Sequence, residues 1–167
     1  QAEPFMVPGG RFNEMYGWDS YFIAKGLLLS HSMDLVESTL NHLVYEIEHY
    51  GCILNANRTY YLGRSNPPLL TSLLIEYLEK DGDTTPLDWI RRVVLAAIEE
   101  YETVWKHPDR LTESGLSRYN ARGLKVPPEV EPGHFNRIFE TISKETELEV
   151  DELERVYRSG QIQSKAL

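Results

Sequence analysis

The sequence has a single cysteine, Cys52, so no disulfide can close within it. That shortage leans towards a reducing, cytoplasmic compartment. Positive charge is also scarce: 17 lysines and arginines stand against 26 aspartates and glutamates, for a formal net charge of −9. A phosphate-backbone partner calls for a basic face, so no nucleic acid is expected. No apolar run approaches the roughly 20 residues that span a bilayer, so no membrane partner is expected either. No segment shows sustained apolar/polar alternation, which argues against a substantial sheet, and neither a repeat nor a low-complexity tract is present. What remains is 167 residues, 41% hydrophobic and 26% charged, enough for one globular domain with a real core. A neutral, polyhydroxyl ligand is compatible with the acidic balance. The chain starts at Gln1 and runs out in a polar stretch from Gln161 to Leu167, and both ends read as cut rather than finished.

Apolar spacing of three to four residues predicts an all-α chain with unusually long loops. Asp19 or Ser20 is placed to cap a first helix running to about Ser30. Val36, Leu40, Leu43, Val44 and Ile47 mark a second, with Gly51 as its stop. A third runs from Leu69 to Glu79, before Asp81-Gly82. Thr85-Pro86 signals a fourth, a capping residue followed by proline at the first helical position. Its stripe is Leu87, Ile90, Val94, Ala97, Ile98 and Tyr101, and His107-Pro108 ends it. Two weaker helices are expected at His134–Lys144 and Val150–Arg158.

The loops carry the chemistry. Between Glu3 and Trp18 the chain is too rich in glycine and proline for regular structure, and too aromatic for an idle linker. Between Gly51 and Pro68, amide, guanidinium and aromatic groups crowd a second connection. Structureless loops beyond about 12–15 residues are commonly functional or disordered, and aromatic content disfavours disorder. Sugars present paired hydroxyls around an apolar ring face. Carboxylates and amides answer the hydroxyls, arginine supplies a rigid fork of donors, and aromatic faces pack on the ring. Arg11, Trp18, Asp19, Asn55, Arg64 and Asn66 supply that set. A plainer alternative stands beside it: Arg11 and Arg64 pair with Glu14 or Asp19 to pin the loops, and Tyr60 and Tyr61 are core. Composition does not choose between the two.

The stretch Pro8-Gly9-Gly10-Arg11-Phe12-Asn13-Glu14-Met15-Tyr16-Gly17-Trp18-Asp19-Ser20-Tyr21 resembles the first diagnostic motif of the trehalases, glycoside hydrolase family 37. The stretch from Asn55 to Pro68, Asn-Ala-Asn-Arg-Thr-Tyr-Tyr-Leu-Gly-Arg-Ser-Asn-Pro-Pro, is similar to their second conserved loop. Gly115-Leu116-Ser117-Arg118-Tyr119 and Val126-Pro127-Pro128-Glu129 resemble the family too. With Gly133-His134-Phe135 and the acidic helix that follows, the form is most similar to the fungal neutral, cytosolic trehalases.

The resemblance implies that residues 1–167 are part of an (α/α)6 barrel, a six-hairpin toroid, with long substrate-binding loops at one end. Carried over by position, it implies that Arg11, Trp18, Asp19, Asn55, Arg64 and Glu129 contact trehalose, with Ser65 and Asn66 as weaker contacts. Two departures stand out. Family members usually carry glutamine where this chain has Asn66, one methylene shorter. Bacterial relatives carry Arg-Pro-Glu where this chain has Pro127-Pro128-Glu129.

Trehalases are inverting enzymes, and inversion needs a general acid and a general base roughly 6.5–9.5 Å apart. The family's acid lies in a Glu-Ser-Gly-(Trp or His)-Asp-like motif that does not occur here. Glu113-Ser114-Gly115-Leu116-Ser117 has serine in the aspartate's place and falls before Arg118-Tyr119, not after it. No catalytic residue is therefore assigned within the chain, and acid and base are expected downstream. Glu14 and Asp19 read as positioning groups.

His42, Glu46 and His49 share helical spacing, but a helix face is favoured over a metal site because no second carboxylate-histidine segment accompanies them. No cofactor is expected for the hydrolysis. The resemblance implies regulatory calcium and a 14-3-3 protein as partners of the longer protein, outside this chain. Two functions follow: an α,α-trehalase completed by the remainder of its barrel, or a non-catalytic carbohydrate-binding or regulatory module.

Overall fold

The structure is a computed structural model that describes residues 3–81, 84–120, 130–131, 133–145 and 148–159. Six α-helices are described: α1 (Gly17–Leu29), α2 (Met33–Tyr50), α3 (Leu70–Asp81), α4 (Leu87–Glu100), α5 (Asn136–Glu145) and α6 (Val150–Ser159). Among the described residues there is no strand, only isolated bridges between loop residues, so the all-α expectation is met. The chain divides into two compact units, Gln1–Ala121 and Arg122–Leu167.

In the first unit α2 is the central helix, packed against α1, α3 and α4. The apolar spacing read from the sequence is its buried stripe: Val36, Leu40, Leu43, Val44 and Ile47 are all at most 2% exposed. Each such side chain contributes about 1.5–3 kcal/mol of burial free energy, so this stripe anchors the unit. Gly51 ends α2 with φ +82°, the left-handed conformation that glycine adopts without strain.

Two helix starts differ from expectation. Helix α1 begins at Gly17, with Tyr16 extended at the cap, so Asp19 lies in the first turn and neither Asp19 nor Ser20 caps it. The helix's orphan N–H groups find their partners elsewhere: Gly17 N donates to the carbonyl of Asn55 and Trp18 N to the side-chain oxygen of Asn66. With the second loop supplying the acceptors, no local side-chain cap is required. Helix α4 begins at Leu87, one residue past the expected start, and Pro86 occupies the cap position. Thr85 does not cap, because its hydroxyl donates to Asp81 at the end of α3.

The stripe expected on α4 is largely not buried. Val93, Ala96 and Glu100 face the core, while Leu87, Val94, Ile98 and Tyr101 are 81%, 39%, 51% and 55% exposed. Helix α4 then continues into a π-helical turn, Tyr101–Trp105, which brings Trp105 inward. Wide turns of this kind are uncommon and re-aim the side chains around them.

In the second unit α5 and α6 pack on each other, with Phe135 and Phe139 each edge-to-face with Tyr157, and Phe139 and Leu153 are buried. These helices lie within two residues of the weak signals in the sequence.

Candidate sugar-binding site

The first loop opens with a tight turn in which Gly9 and Phe12 exchange backbone hydrogen bonds of 3.2 and 3.1 Å. Gly9 and Gly10 have φ values of +93° and +62°, a region that glycine enters freely. Arg11 sits at this turn, exposed, with its guanidinium over the ring of Phe12 at 5.2 Å. Phe12 meets Tyr16 edge-to-face at 5.6 Å, and Tyr16 meets the buried Tyr61 of the second loop at 6.4 Å.

The two loops are laced together by backbone and amide groups. Met15 N donates to Asn57 Oδ1 at 2.9 Å, and Asn57 N returns a bond to the carbonyl of Met15 at 3.1 Å. Within the second loop Asn55 N donates to the carbonyl of Arg64 at 3.0 Å, and Leu54 bridges Ser65. Asn66 closes the arrangement. Its Oδ1 accepts from Trp18 N at 3.0 Å, and its Nδ2 donates to the carbonyl of Asn55 at 3.2 Å. Asn66 is only 3% exposed, which makes it an internal clamp. Its polar atoms are engaged with the protein, on the Trp18 N–H and the Asn55 carbonyl.

Gly17 is where the loops come closest. A Cβ there would lie 2.8 Å from Asn66 Cβ and 2.9 Å from Ile53 Cγ2, nearer than such atoms approach. Any side chain at this position would push the loops apart.

The clamp therefore brings Trp18, Asp19, Asn55, Arg64 and Ser65 into one neighbourhood. Trp18 is 53% exposed, leaving an indole face for a ring to pack on. Asp19, Asn55, Arg64 and Ser65 are half-buried. Asp19 lies in the first turn of α1, where the helix dipole favours a negative charge. Glu129 falls outside the described residues. Glu14 is paired with Arg58, 3.0 Å away. Tyr61 is core, as the plainer alternative has it, but Tyr60 is 45% exposed.

A cleft of about 240 Å³ opens on the α2 side of the second loop, lined by Phe5, Tyr45, Glu46, Asn57 and Arg58 among others. Among the described residues none of the expected sugar contacts lines it. The histidines of α2 are occupied: His42 Nε2 donates to the carbonyl of Glu3, and His49 stacks on Tyr45. Among the described residues no group of His, Cys, Asp and Glu has the makings of a metal site.

Sequence reasoning missed the role of two carboxyl groups, one of them the Glu46 weighed above only with His42 and His49. Glu46 on α2 and Glu100 at the end of α4 are 4% and 2% exposed, and burial pushes both up to about 7. By acidity alone they resemble catalysts. Their geometry says otherwise, since each accepts a loop amide inside the protein: Leu54 N at 2.9 Å for Glu46, Ile53 N at 2.8 Å for Glu100. A signal was available for Glu46, which falls three residues after Leu43 on the apolar stripe of α2; there was none for Glu100, because Ala96, four residues before it, lies off the stripe read for α4.

A family model described as trehalase matches residues 1–167. The chain belongs to the trehalase family. It is 48% identical to the cytosolic neutral trehalase of Kluyveromyces lactis over 163 residues, which is 95% of this chain and 22% of that protein. It is 49% identical to the cytosolic neutral trehalase of Beauveria bassiana over 166 residues, 98% of this chain and 22% of the relative. Among solved structures it is similar to the neutral trehalase Nth1 from Saccharomyces cerevisiae, with a TM-score of 0.79 and 43% identity. That match covers 97% of this chain and 30% of the other. The chain thus spans about a fifth of the length of the curated trehalases it matches. Its helices have the trehalase fold, the (α/α)6 barrel expected from the motifs, over the portion it covers.

Proposed function

We propose that this chain supplies the substrate-gripping loops of an α,α-trehalase, which hydrolyses trehalose to two glucose molecules with inversion. The carrying observation is the clamp of Asn66, which holds Trp18 and Asn55 together from two loops that are far apart in sequence. In this reading Trp18 packs on a glucose ring, while Asp19, Asn55, Arg64 and Arg11 bond its hydroxyls. Glu129 is a further contact, and Ser65 a weaker one.

The general acid and base come from the remainder of the barrel. Glu46 and Glu100 do not take those roles, because both are buried and already bound to loop amides. The exposed face of α4, with Leu87, Leu95, Ile98 and Tyr101, supports a neighbouring part of the same barrel as the covering partner. The hydrolytic step calls for no cofactor. A cytosolic setting is supported by the relatives' names; among the described residues no helix is long and apolar enough to cross a membrane. Regulatory calcium and a 14-3-3 protein, if the longer protein uses them, act outside these residues.

The test is glucose release from trehalose by the intact protein and by residues 1–167 alone. The proposal expects turnover from the first only. Tight trehalose binding by the short chain, with no turnover from either, would favour a binding module.

A further inference from the structure

Two carboxyl groups that the proposed chemistry does not use stand directly beneath the second loop. Glu46 comes from α2 and Glu100 from the last turn of α4, helices that pack against each other. Glu46 Oε2 accepts the N–H of Leu54 at 2.9 Å, and Glu100 Oε1 accepts that of Ile53 at 2.8 Å. The two amides are consecutive, and the next residue is Asn55. Its carbonyl receives Gly17 N and Asn66 Nδ2, and its own N–H reaches the carbonyl of Arg64.

Among the described residues this part of the loop has no ladder to hold it, only the isolated bridges Leu54–Ser65 and Tyr16–Ala56. A buried N–H needs an acceptor, and a carboxyl oxygen carried on a long side chain from a rigid helix provides one at a fixed height. Two such struts, from two helices, fix direction as well as height. The other charged and titratable groups in the cluster are few. Arg110, 6% exposed, lowers Glu100, and the thiol of Cys52 is pushed up to about 11 by burial and by both carboxyls. Only one oxygen of Glu46 is engaged: Oε1 has no hydrogen-bond partner among the described residues.

We propose that Glu46 and Glu100 are positioning residues of the sugar site: by clasping the successive amides of Leu54 and Ile53 from two helices, they set Asn55 and Arg64 against the start of α1. This rests on the reading of the second loop as sugar-gripping. The struts act through reach rather than charge. Aspartate at either position keeps the acid but withdraws the oxygen by a methylene, whereas glutamine at 46 keeps the reach and removes the charge.

The experiment compares Glu46→Asp, Glu100→Asp and Glu46→Gln in the intact protein, using trehalose kinetics and amide hydrogen exchange across residues 51–66. The aspartate variants are expected to raise KM for trehalose about tenfold or more, with kcat changed less than about threefold, because contacts made equally in ground and transition states are weakened. Exchange at residues 53–55 rises about tenfold, while α2 and α3 keep their protection. Glu46→Gln stays within about threefold of wild type in both readouts. Aspartate variants with wild-type KM and wild-type loop exchange overturn the proposal, as does a glutamine variant as impaired as aspartate. If the wild-type protein releases no glucose from trehalose, the functional reading fails. The exchange comparison then still decides whether the struts hold the loop.

Discussion

The side-chain oxygen of Asn66 accepts the backbone N–H of Trp18 at 3.0 Å, across 48 residues of sequence. The same amide donates to Asn55, so one side chain satisfies the start of α1 and fixes the second loop. Asn66→Ala leaves the Trp18 N–H without its acceptor in a part-buried setting, while the Asn55 carbonyl keeps only the Gly17 N–H. The expected loss is about 1–3 kcal/mol of stability, read from the urea midpoint at constant m-value.

Gly17 gives a second, independent check on the clamp. Alanine is ordinarily the better helix former by about 1 kcal/mol. At Gly17 its methyl would meet Asn66 Cβ at 2.8 Å and Ile53 Cγ2 at 2.9 Å. Gly17→Ala should therefore destabilise by about 1–3 kcal/mol, the usual cost of overpacking. A neutral or stabilising result would show that the loops have room to separate.

Burial of Glu46 and Glu100 ties stability to pH. Both fold with a carboxyl pushed up to about 7, against an ordinary value of 4.5. Below about pH 4.5 each is protonated whether folded or not, and adds no pH dependence. Between 4.5 and 7 the unfolded chain releases its protons while the folded one keeps them, so stability falls as pH rises. Above 7 the loss is complete, on the order of a few kcal/mol for each group. Urea midpoints at pH 5 and pH 8 should differ accordingly in the intact protein. The Glu46→Gln/Glu100→Gln double variant should lose most of that difference.

The outward face of α4 makes a further prediction. Leu95 and Ile98 are 53% and 51% exposed. Residues 1–167 alone should bind a hydrophobic dye and self-associate, and Leu95→Glu with Ile98→Lys should reduce both. The same pair of changes in the intact protein should lower its stability, because the proposed function has the remaining barrel cover this face there. Equal tolerance in the two settings would contradict a covered face.

Much of this was legible in the sequence where a single period governs. Val36 to Ile47 follow helical spacing and are buried, and Gly51 stops α2 as its left-handed conformation requires. The α4 stripe misled because Leu87, Val94 and Ile98 form an apolar face that is left exposed among the described residues. Periodicity reports that a face wants covering but not what covers it. The helix starts misled for a related reason: acceptors for α1 come from Asn55 and Asn66, which no local capping rule anticipates. The loop motifs named the expected sugar contacts. They could not show that Asn66 is engaged internally, or that Glu46 and Glu100 stand beneath Asn55.

The central claim is that these loops grip trehalose, and Arg64 tests it most directly. It is half-buried in the second loop, and its carbonyl is bonded to Asn55 through the backbone, so truncating the side chain leaves that bond in place. The measurement is kcat/KM for trehalose in the intact protein carrying Arg64→Ala, alongside its unfolding midpoint. The account predicts a fall of about 30- to 150-fold, as for a lost charge-assisted hydrogen bond of about 2–3 kcal/mol, in a protein that still unfolds cooperatively. An unaltered kcat/KM would contradict it.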